Sequence, residues 1–222
     1  GSIGGEREAR EIAARISTRN GYGKRVMADA LARIGGKGLR QTMLRLIGDE
    51  DGHVVGSALK ALGEIGCPDD IGEIRKFLQH PYPDVRSSAL ETIARIGSEK
   101  AEECFTELAG DADPNVRIMA LEGLLRMRSS RLGHVSSYLL KDPSWEVRTA
   151  AVKIIRDTGL PLEDDLLVAL LNDERDEIRR PAIDIVGMRR VQNLRSFLVD
   201  AIGSEEMWTA FHAVEALGRF RD

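Results

Sequence analysis

Apolar residues recur along the chain at a fixed interval of 31 positions. Larger apolar residues keep the same step, as from Val54 to Val85 and from Leu59 to Leu90. The clearest series consists of small residues: Ala58, Ala89, Ala120, Ala151, Ala182 and Ala213. A period between 20 and 50 residues is typical of stacked supersecondary units, each of which buries its core only against its neighbours. The pattern therefore predicts a solenoid.

Each repeat contains two amphipathic segments. In the repeat that begins at Pro83, apolar residues follow helical spacing as far as Ile96, which predicts a first helix, helix A. A second helical face then runs through Ala101, Phe105 and Leu108, which predicts helix B. Glycines are expected to end helix A in the left-handed conformation at Gly35, Gly66, Gly97 and Gly159. No strand-like alternation is present in the sequence, so we expect an all-α fold.

The repeat phase predicts the organisation of the whole chain. Residues 6–222 are expected to form a single array, consisting of a lone helix B, six AB repeats and a final helix A, or about 14 helices. The expected architecture is a right-handed α–α superhelix. Residues 1–5 are interpreted as a tag scar or disordered start, because Gly1-Ser2 is typical of a tag remnant. Since neither end carries a polar capping helix, we expect the array to be a piece of a longer protein.

Composition narrows the range of functions. The 32 basic and 36 acidic residues give a formal net charge of −4, which does not provide the general basic face needed for non-specific nucleic-acid binding. The two cysteines, Cys67 and Cys104, lack the spacing of a disulfide framework or a zinc site, so a reducing, cytoplasmic location is expected. No apolar run reaches the length of a membrane span, and no membrane contact is expected.

Paired acidic and basic residues add a second periodic feature. Three pairs are six residues apart, beginning in the loop after helix B: Asp111 and Arg117, Asp142 and Arg148, and Asp173 and Arg179. With Pro143, Val147, Ala151 and Gly159, this pattern resembles the HEAT-repeat family, most closely the short bacterial and archaeal type named for phycobilisome-lyase HEAT-like repeats.

The resemblance implies that these aspartates and arginines form a structural ladder between neighbouring repeats. Arg86 shares the arginine position, although His80 replaces its aspartate. Val55 replaces the arginine after Asp49, and Ser204 with Ala210 lacks both residues. We therefore expect the edges of the array to be looser than its middle. A stripe of arginines for phosphate or carboxylate ligands is the less favoured interpretation.

Residue patterns for catalysis and metal binding are missing from the sequence. The four histidines, His53, His80, His134 and His212, occupy different repeat positions, and none is followed by glutamate, unlike the His-Glu pairs of HEAT-like metal hydroxylases. The serine-hydrolase, zinc-protease and phosphate-loop motifs are also missing. We expect no enzyme activity and no cofactor. The resemblance leaves open a bilin lyase-like or other cofactor-handling protein as the alternative.

In this architecture helix B lines the concave side, so its non-core residues are the expected partner-binding surface. Tyr138 and Arg75 are the preferred anchors because tyrosine and arginine are enriched in interfaces. An ordinary solvated helix face is the alternative. Trp145 and Trp208, at the starts of helices A, are expected to pack on the preceding helix, with an exposed anchor as the alternative for either. The predicted partner-binding residues are Arg45, Arg75, Lys76, Glu103, Glu107, His134, Tyr138 and Asp165. The sequence thus predicts a scaffold or regulatory domain that binds a protein partner of unknown identity.

Overall fold

The computed structural model describes residues 3–16 and 21–220, and these residues form helices joined by short loops. Short 3-10 helices cover Lys37–Leu39, Pro68–Asp70, Arg75–Gln79 and Gln192–Leu194. The fourteen α-helices are α1 (Ile3–Ile16), α2 (Gly21–Ile34), α3 (Arg40–Leu46), α4 (Gly52–Ile65), α5 (Ile71–Ile74), α6 (Pro83–Ile96), α7 (Glu99–Leu108), α8 (Pro114–Arg126), α9 (Leu132–Leu139), α10 (Trp145–Thr158), α11 (Asp164–Leu171), α12 (Asp176–Arg189), α13 (Arg195–Ile202) and α14 (Met207–Gly218).

Helices A and B alternate along the chain. The even-numbered helices from α2 to α14 have the phase of helix A, and the odd-numbered helices have the phase of helix B. The described residues contain no strand, so the prediction of an all-α solenoid with fourteen helices is confirmed. Residues 3–5 of the segment interpreted as a tag scar belong to α1, whereas Gly1 and Ser2 lie outside the described residues.

The chain divides into two compact units. Unit 1 comprises Gly1–Gly110 and Glu122–Ser129, and unit 2 comprises Asp111–Leu121 and Ser130–Asp222. In unit 1, consecutive helices A pack side by side, α2 on α4 and α4 on α6. In unit 2, α10 packs on α12 and α12 packs on α14 in the same manner. Each unit therefore builds its core from neighbouring repeats, as the period requires.

The periodic small residues form the centre of these cores. All six alanines of the 31-residue series are completely buried. The series that starts at Leu59 is also buried as far as Ile183, but its member in α14, Val214, is 55% exposed. The position of a residue within the repeat therefore predicts whether it is buried. The exception is α14, on which no later helix A of the described residues packs.

At the start of several helices, a side-chain oxygen accepts a hydrogen bond from a backbone N–H group of the first turn. Asp51 accepts from the N–H of His53 at the start of α4, and Ser98 accepts from that of Ala101 at the start of α7. These contacts are standard N-caps, which satisfy donors that have no partner inside the helix.

The residue after helix A adopts the left-handed conformation in most repeats. Gly97 and Gly159 have φ of 49° and 69°, as predicted. The same prediction is wrong for Gly66, which has an extended backbone with φ of −72°. Arg128 and Arg190 occupy the equivalent position with φ of 52° and 51°, a conformation in which an L-residue is strained.

Candidate functional site

Arg117 joins two neighbouring repeats of unit 2. Its Nε and Nη2 atoms each donate a hydrogen bond of 2.7 Å to the carboxylate of Asp142, which lies 25 residues later. Its Nη1 atom donates to the backbone carbonyl oxygens of Asp111 and Ala112, at 2.7 and 3.1 Å. Both charged side chains are nearly buried, and the hydrogen bond to Asp142 raises the pKa of the Arg117 guanidinium above its ordinary value. The guanidinium therefore bonds both to the loop that precedes its own helix and to the next repeat.

Arg148 repeats this arrangement one repeat later. It donates to both carboxylate oxygens of Asp173, at 2.9 and 3.2 Å, and to the carbonyl oxygen of Asp142, at 2.9 Å. In each pair, the aspartate six residues before the arginine offers its carbonyl, while the carboxylate comes from the next repeat. Arg179 donates to the carbonyl of Asp173 at 2.7 Å and to the carboxylate of Asp176 within its own helix.

Unit 1 uses other residues at the equivalent positions. Arg86 donates to the carbonyl oxygens of His80 and Pro81, at 2.7 and 3.0 Å. Lys24, which has the same phase as Arg117, forms an ion pair with Asp49, again 25 residues later. Sequence reasoning missed this pair because it searched only for arginine. The spacing of 25 residues could have revealed it.

A second interaction that the sequence did not reveal joins Arg40 to Asp70. The guanidinium donates to both carboxylate oxygens, at 2.9 and 2.5 Å, and lies 3.2 Å from the Sγ atom of Cys67. Burial opposes ionisation of Asp70, but the hydrogen bonds from Arg40 and from the backbone N–H of Cys67 more than offset it, so the pKa of Asp70 lies below its ordinary value. The Asp70 carboxylate thus joins Arg40 to the backbone at the start of the 3-10 helix Pro68–Asp70.

The predicted partner-binding residues of unit 1 are all exposed: Arg45, Arg75, Lys76, Glu103 and Glu107. Arg75 and Lys76 lie on the 3-10 helix that follows α5, and the other three lie on helices B. Two contacts pair their charges. Arg75 donates to Glu107 of the next repeat at 3.0 Å, and Lys76 donates to Glu73 at 2.7 Å. This part of the predicted surface is therefore largely self-neutralised.

The predicted residues of unit 2, His134, Tyr138 and Asp165, are exposed as well. His134 and Tyr138 lie on one wall of a groove of about 900 Å³, and Tyr138 is 65% exposed. The opposite wall is the loop Leu160-Pro161-Leu162, between α10 and α11. We call this concavity the Tyr138 groove. Asp165 is outside its lining, whose charged residues include Lys141, Asp142 and Glu163.

The apolar wall of the Tyr138 groove is held in place by one side chain. Arg189 of α12 donates hydrogen bonds to the backbone carbonyl oxygens of Leu160 and Leu162. Because this loop has no helical hydrogen bonds of its own, these contacts give two of its carbonyl oxygens a partner on α12. Sequence reasoning did not find the loop, since it lies outside the periodic positions.

The two tryptophans differ in environment. Trp145 is half-buried, with the guanidinium carbon of Arg175 5.2 Å from its ring centroid, a cation–π contact. Trp208 is 53% exposed and contacts Phe211 edge to face, at a centroid distance of 6.0 Å. The prediction that Trp208 packs against a neighbouring helix is therefore wrong, because its side chain lies on the exposed side of α14.

A cluster of Asp29, His53 and Ser57 in unit 1 has the residue types of a hydrolase triad. Ser57 directs its hydroxyl to Asp29, and His53 also contacts Asp29, at 3.1 Å. A triad requires the hydroxyl to contact the imidazole, so this arrangement does not activate a nucleophile. Across residues 3–16 and 21–220, no three histidine, cysteine or acidic side chains converge as a metal site would require. The described helices include none with the length and apolar character needed to cross a membrane.

Comparison with solved structures supports the fold. The chain is similar to the YibA protein of Escherichia coli, with 23% identity, a TM-score of 0.64, and coverage of 96% of this chain and 81% of the other. It is also similar to the archaeal HEAT-like repeats protein from Thermococcus onnurineus, with 16% identity, a TM-score of 0.53 and coverage of 96% of both chains. No curated protein matches the sequence. The family model for HEAT repeats matches residues 9–80 and 71–153, more than half of the sequence. The chain therefore belongs to the HEAT-repeat family.

Proposed function

We propose that this HEAT-repeat chain is a scaffold or regulatory domain that binds a protein partner, with the Tyr138 groove as its main anchoring site. The observation that carries the proposal is the combination of an exposed aromatic side chain with an apolar wall across a groove of about 900 Å³. Binding energy in interfaces concentrates where a few aromatic or arginine side chains fill desolvated pockets.

Unit 1 supplies a different kind of surface. Arg75 and Lys76 are already paired with glutamates, so a partner would gain little by adding charges there. We assign Arg45, Arg75, Lys76, Glu103 and Glu107 to orientation of the partner, and His134 and Tyr138 to its affinity. Glu163 and Lys141 both line the groove, and Asp165 lies outside the lining, so the groove favours a partner segment with charges of both signs next to its apolar anchor.

The proposal includes a non-catalytic role in the cytoplasm, without a cofactor, nucleic acid or membrane contact. We also propose that the repeats are of the short phycobilisome-lyase HEAT-like type. This part of the proposal concerns the kind of repeat and not the function of the protein. Visible absorbance from a stoichiometric chromophore in the purified protein would favour a bilin-handling function instead.

The proposed site can be tested with a photo-crosslinking amino acid placed at position 138. Position 82 is the matched control, because Tyr82 is also an exposed tyrosine but precedes a helix A. Crosslinking in the cells that express the protein, followed by mass spectrometry, is expected to identify one partner from position 138 and none from position 82.

The purified partner then allows affinity to be measured. Tyr138→Ala is expected to raise Kd by about tenfold or more, corresponding to about 1.4 kcal/mol, while Tyr82→Ala leaves it unchanged. Loss of affinity with Tyr82→Ala but not with Tyr138→Ala would assign binding to the surface that carries Tyr82.

A further inference from the structure

The Tyr138 groove is open because one repeat departs from the repeat before it. On the α9 side the lining includes Ser130, Gly133 and Ser137, whose side chains are small or absent. One repeat earlier, the same positions hold the larger residues Glu99, Glu102 and Thr106. The groove of about 900 Å³ therefore arises from residues particular to this repeat and does not follow from the period.

The shape of the groove favours an extended chain over a helix. A Cβ atom at Gly133 would lie 3.5 Å from the Cδ2 atom of Leu160, so the two walls come into contact at this point. An α-helix with its side chains is about 10 Å across, which is too wide for a cleft whose walls converge. An extended segment directs alternate side chains to opposite sides, so one apolar side chain can enter between Tyr138 and Leu162 while its neighbours remain at the rim.

Two charges flank the groove at opposite ends. Lys141 and Glu163 both line it, and both are exposed. Within the part of the chain that the structure describes, neither side chain forms an ion pair, whereas Asp142, also in the lining, is bound to Arg117. Lys141 lies eight residues after Gly133, which is about 12 Å along the axis of α9, while Glu163 belongs to the loop that contacts Gly133. A ligand that follows the groove therefore meets one charge at each end.

We propose that the Tyr138 groove binds an extended protein segment in which an apolar side chain lies between a basic residue that pairs with Glu163 and an acidic residue that pairs with Lys141. This specificity rests on the proposed function of the groove and adds the chemistry of its partner. At about 3.3 Å per residue, an extended chain covers the distance between the two charges with roughly three to four residues. The charges thus select both the sequence of the segment and its orientation in the groove.

Selection of displayed random peptides on the purified chain tests the proposal. Peptides that bind the wild-type protein are expected to share a central apolar residue, with a basic residue on one side of it and an acidic residue on the other. Their binding should depend on Tyr138, with a loss of about tenfold or more in Tyr138→Ala.

Exchange of the two charges gives the sharper test. Lys141→Glu and Glu163→Lys each replace an attraction by a repulsion and are expected to weaken binding of a selected peptide roughly tenfold. The double variant has the same net charge as the wild type, and it should instead prefer a synthetic peptide whose basic and acidic residues have been exchanged. Lys153→Glu, at an exposed position of α10 outside the lining, is the control and should leave Kd unchanged. All the substituted charges are exposed, so circular dichroism should show wild-type helicity.

The possible failures are distinguishable. Peptides that need Tyr138 but show no charge preference, or that bind the double variant as well as the wild type, would overturn this specificity and leave the proposed function in place. Selected peptides with apolar residues at helical spacing, or a selection that yields no peptide, would overturn the extended segment, while crosslinking from position 138 would still decide the proposed function. Peptides unaffected by Tyr138→Ala would show that the groove is not the anchoring site, and both proposals would fail.

Discussion

The two units join their repeats through different polar contacts. In unit 2, Arg117 and Arg148 each reach into the next repeat with a two-pronged hydrogen bond to a largely buried aspartate. In unit 1, Lys24 forms a single-point ion pair with Asp49 at the equivalent position. At other positions, unit 1 has a two-pronged pair on a buried carboxylate, Arg40 with Asp70, whereas Lys100 with Asp69 is exposed.

This difference shows that the repeat period requires the apolar core but allows the polar contacts between repeats to vary. Both units bury the same alanine series, so the apolar core alone is common to all repeats. The polar contacts vary because an exposed ion pair contributes little, whereas a buried one cannot lose a partner without a large penalty. We therefore expect substitutions at equivalent positions to have unequal effects in the two units.

The largest effect is expected from Arg117→Ala in unit 2. It leaves the carboxylate of Asp142, which is almost fully buried, without its two strongest donors. Removal of one member of a buried pair costs about 3 kcal/mol. Urea denaturation should show this loss in the free energy of unfolding, and hydrogen exchange should place it in unit 2.

Arg45→Ala is the matched control for this experiment, since Arg45 is exposed on a helix B of unit 1. Its expected cost is only a few tenths of a kcal/mol, as for other exposed positions. Equal and small losses at Arg117 and Arg45 would contradict a structural role for the buried pair and return Arg117 to the candidates for ligand binding.

A second contrast concerns close helix packing. In unit 2, a Cβ atom added at Gly187 would lie 2.6 Å from the Cα of Ala216, so Gly187→Ala forces α12 and α14 apart. We expect it to lower the free energy of unfolding by about 2 kcal/mol. In unit 1, a Cβ atom at Gly56 would meet only the Ser88 hydroxyl at 3.7 Å. Gly56→Ala should therefore stabilise the protein slightly through helix propensity, by up to about 1 kcal/mol. Thermal denaturation of the two variants with opposite shifts would support the comparison, and shifts of the same sign would refute it.

The ladder shows why sequence analysis identified residues but not their partners. An aspartate six residues before an arginine and one 25 residues after it have the same phase, because the two spacings add up to one repeat. Periodicity therefore pointed to Asp111, Asp142 and Arg117 without revealing that the carboxylate comes from Asp142 and only the carbonyl from Asp111. Three-dimensional packing was needed to distinguish them.

Periodicity also explains why only part of the candidate binding site could be predicted from the sequence. His134 and Tyr138 could be identified because they occupy outward positions on a periodic helix. The wall formed by Leu160 and Leu162 could not, since loops have no hydrophobic period. The exposure of Trp208 was missed because burial on α14 depends on contacts beyond its own repeat.

Each unit has a residue with strained backbone at the same position of the repeat. We expect replacement of this residue to change the free energy of unfolding equally in both units. Arg128 in unit 1 and Arg190 in unit 2 have positive φ values at the phase where Gly97 and Gly159 stand. Arg128→Gly and Arg190→Gly are each expected to raise the free energy of unfolding by about 1 kcal/mol through relief of the left-handed strain. Gly159→Ala is the reverse control and should lower it by a similar amount. Unequal effects of the two arginine variants would mean that other contacts of these side chains outweigh the backbone.

The smallest effect is expected from changing the lysine–aspartate ion pair of unit 1 into an arginine–aspartate pair like those of unit 2. Lys24→Arg offers Asp49 a planar guanidinium that can donate to both carboxylate oxygens, as Arg148 does to Asp173. Since the Lys24 side chain is only 25% exposed and that of Asp49 only 11%, the second hydrogen bond should be partly shielded from water. The expected gain is about 0.5 kcal/mol, detectable as a rise in Tm and as slower hydrogen exchange in α2 and α4. Lys24→Met, which keeps the length of the side chain without its charge, should instead lower Tm. If arginine and methionine had the same effect, Lys24 would act by packing alone, and the difference between the units would lie in burial rather than in the geometry of the ion pair.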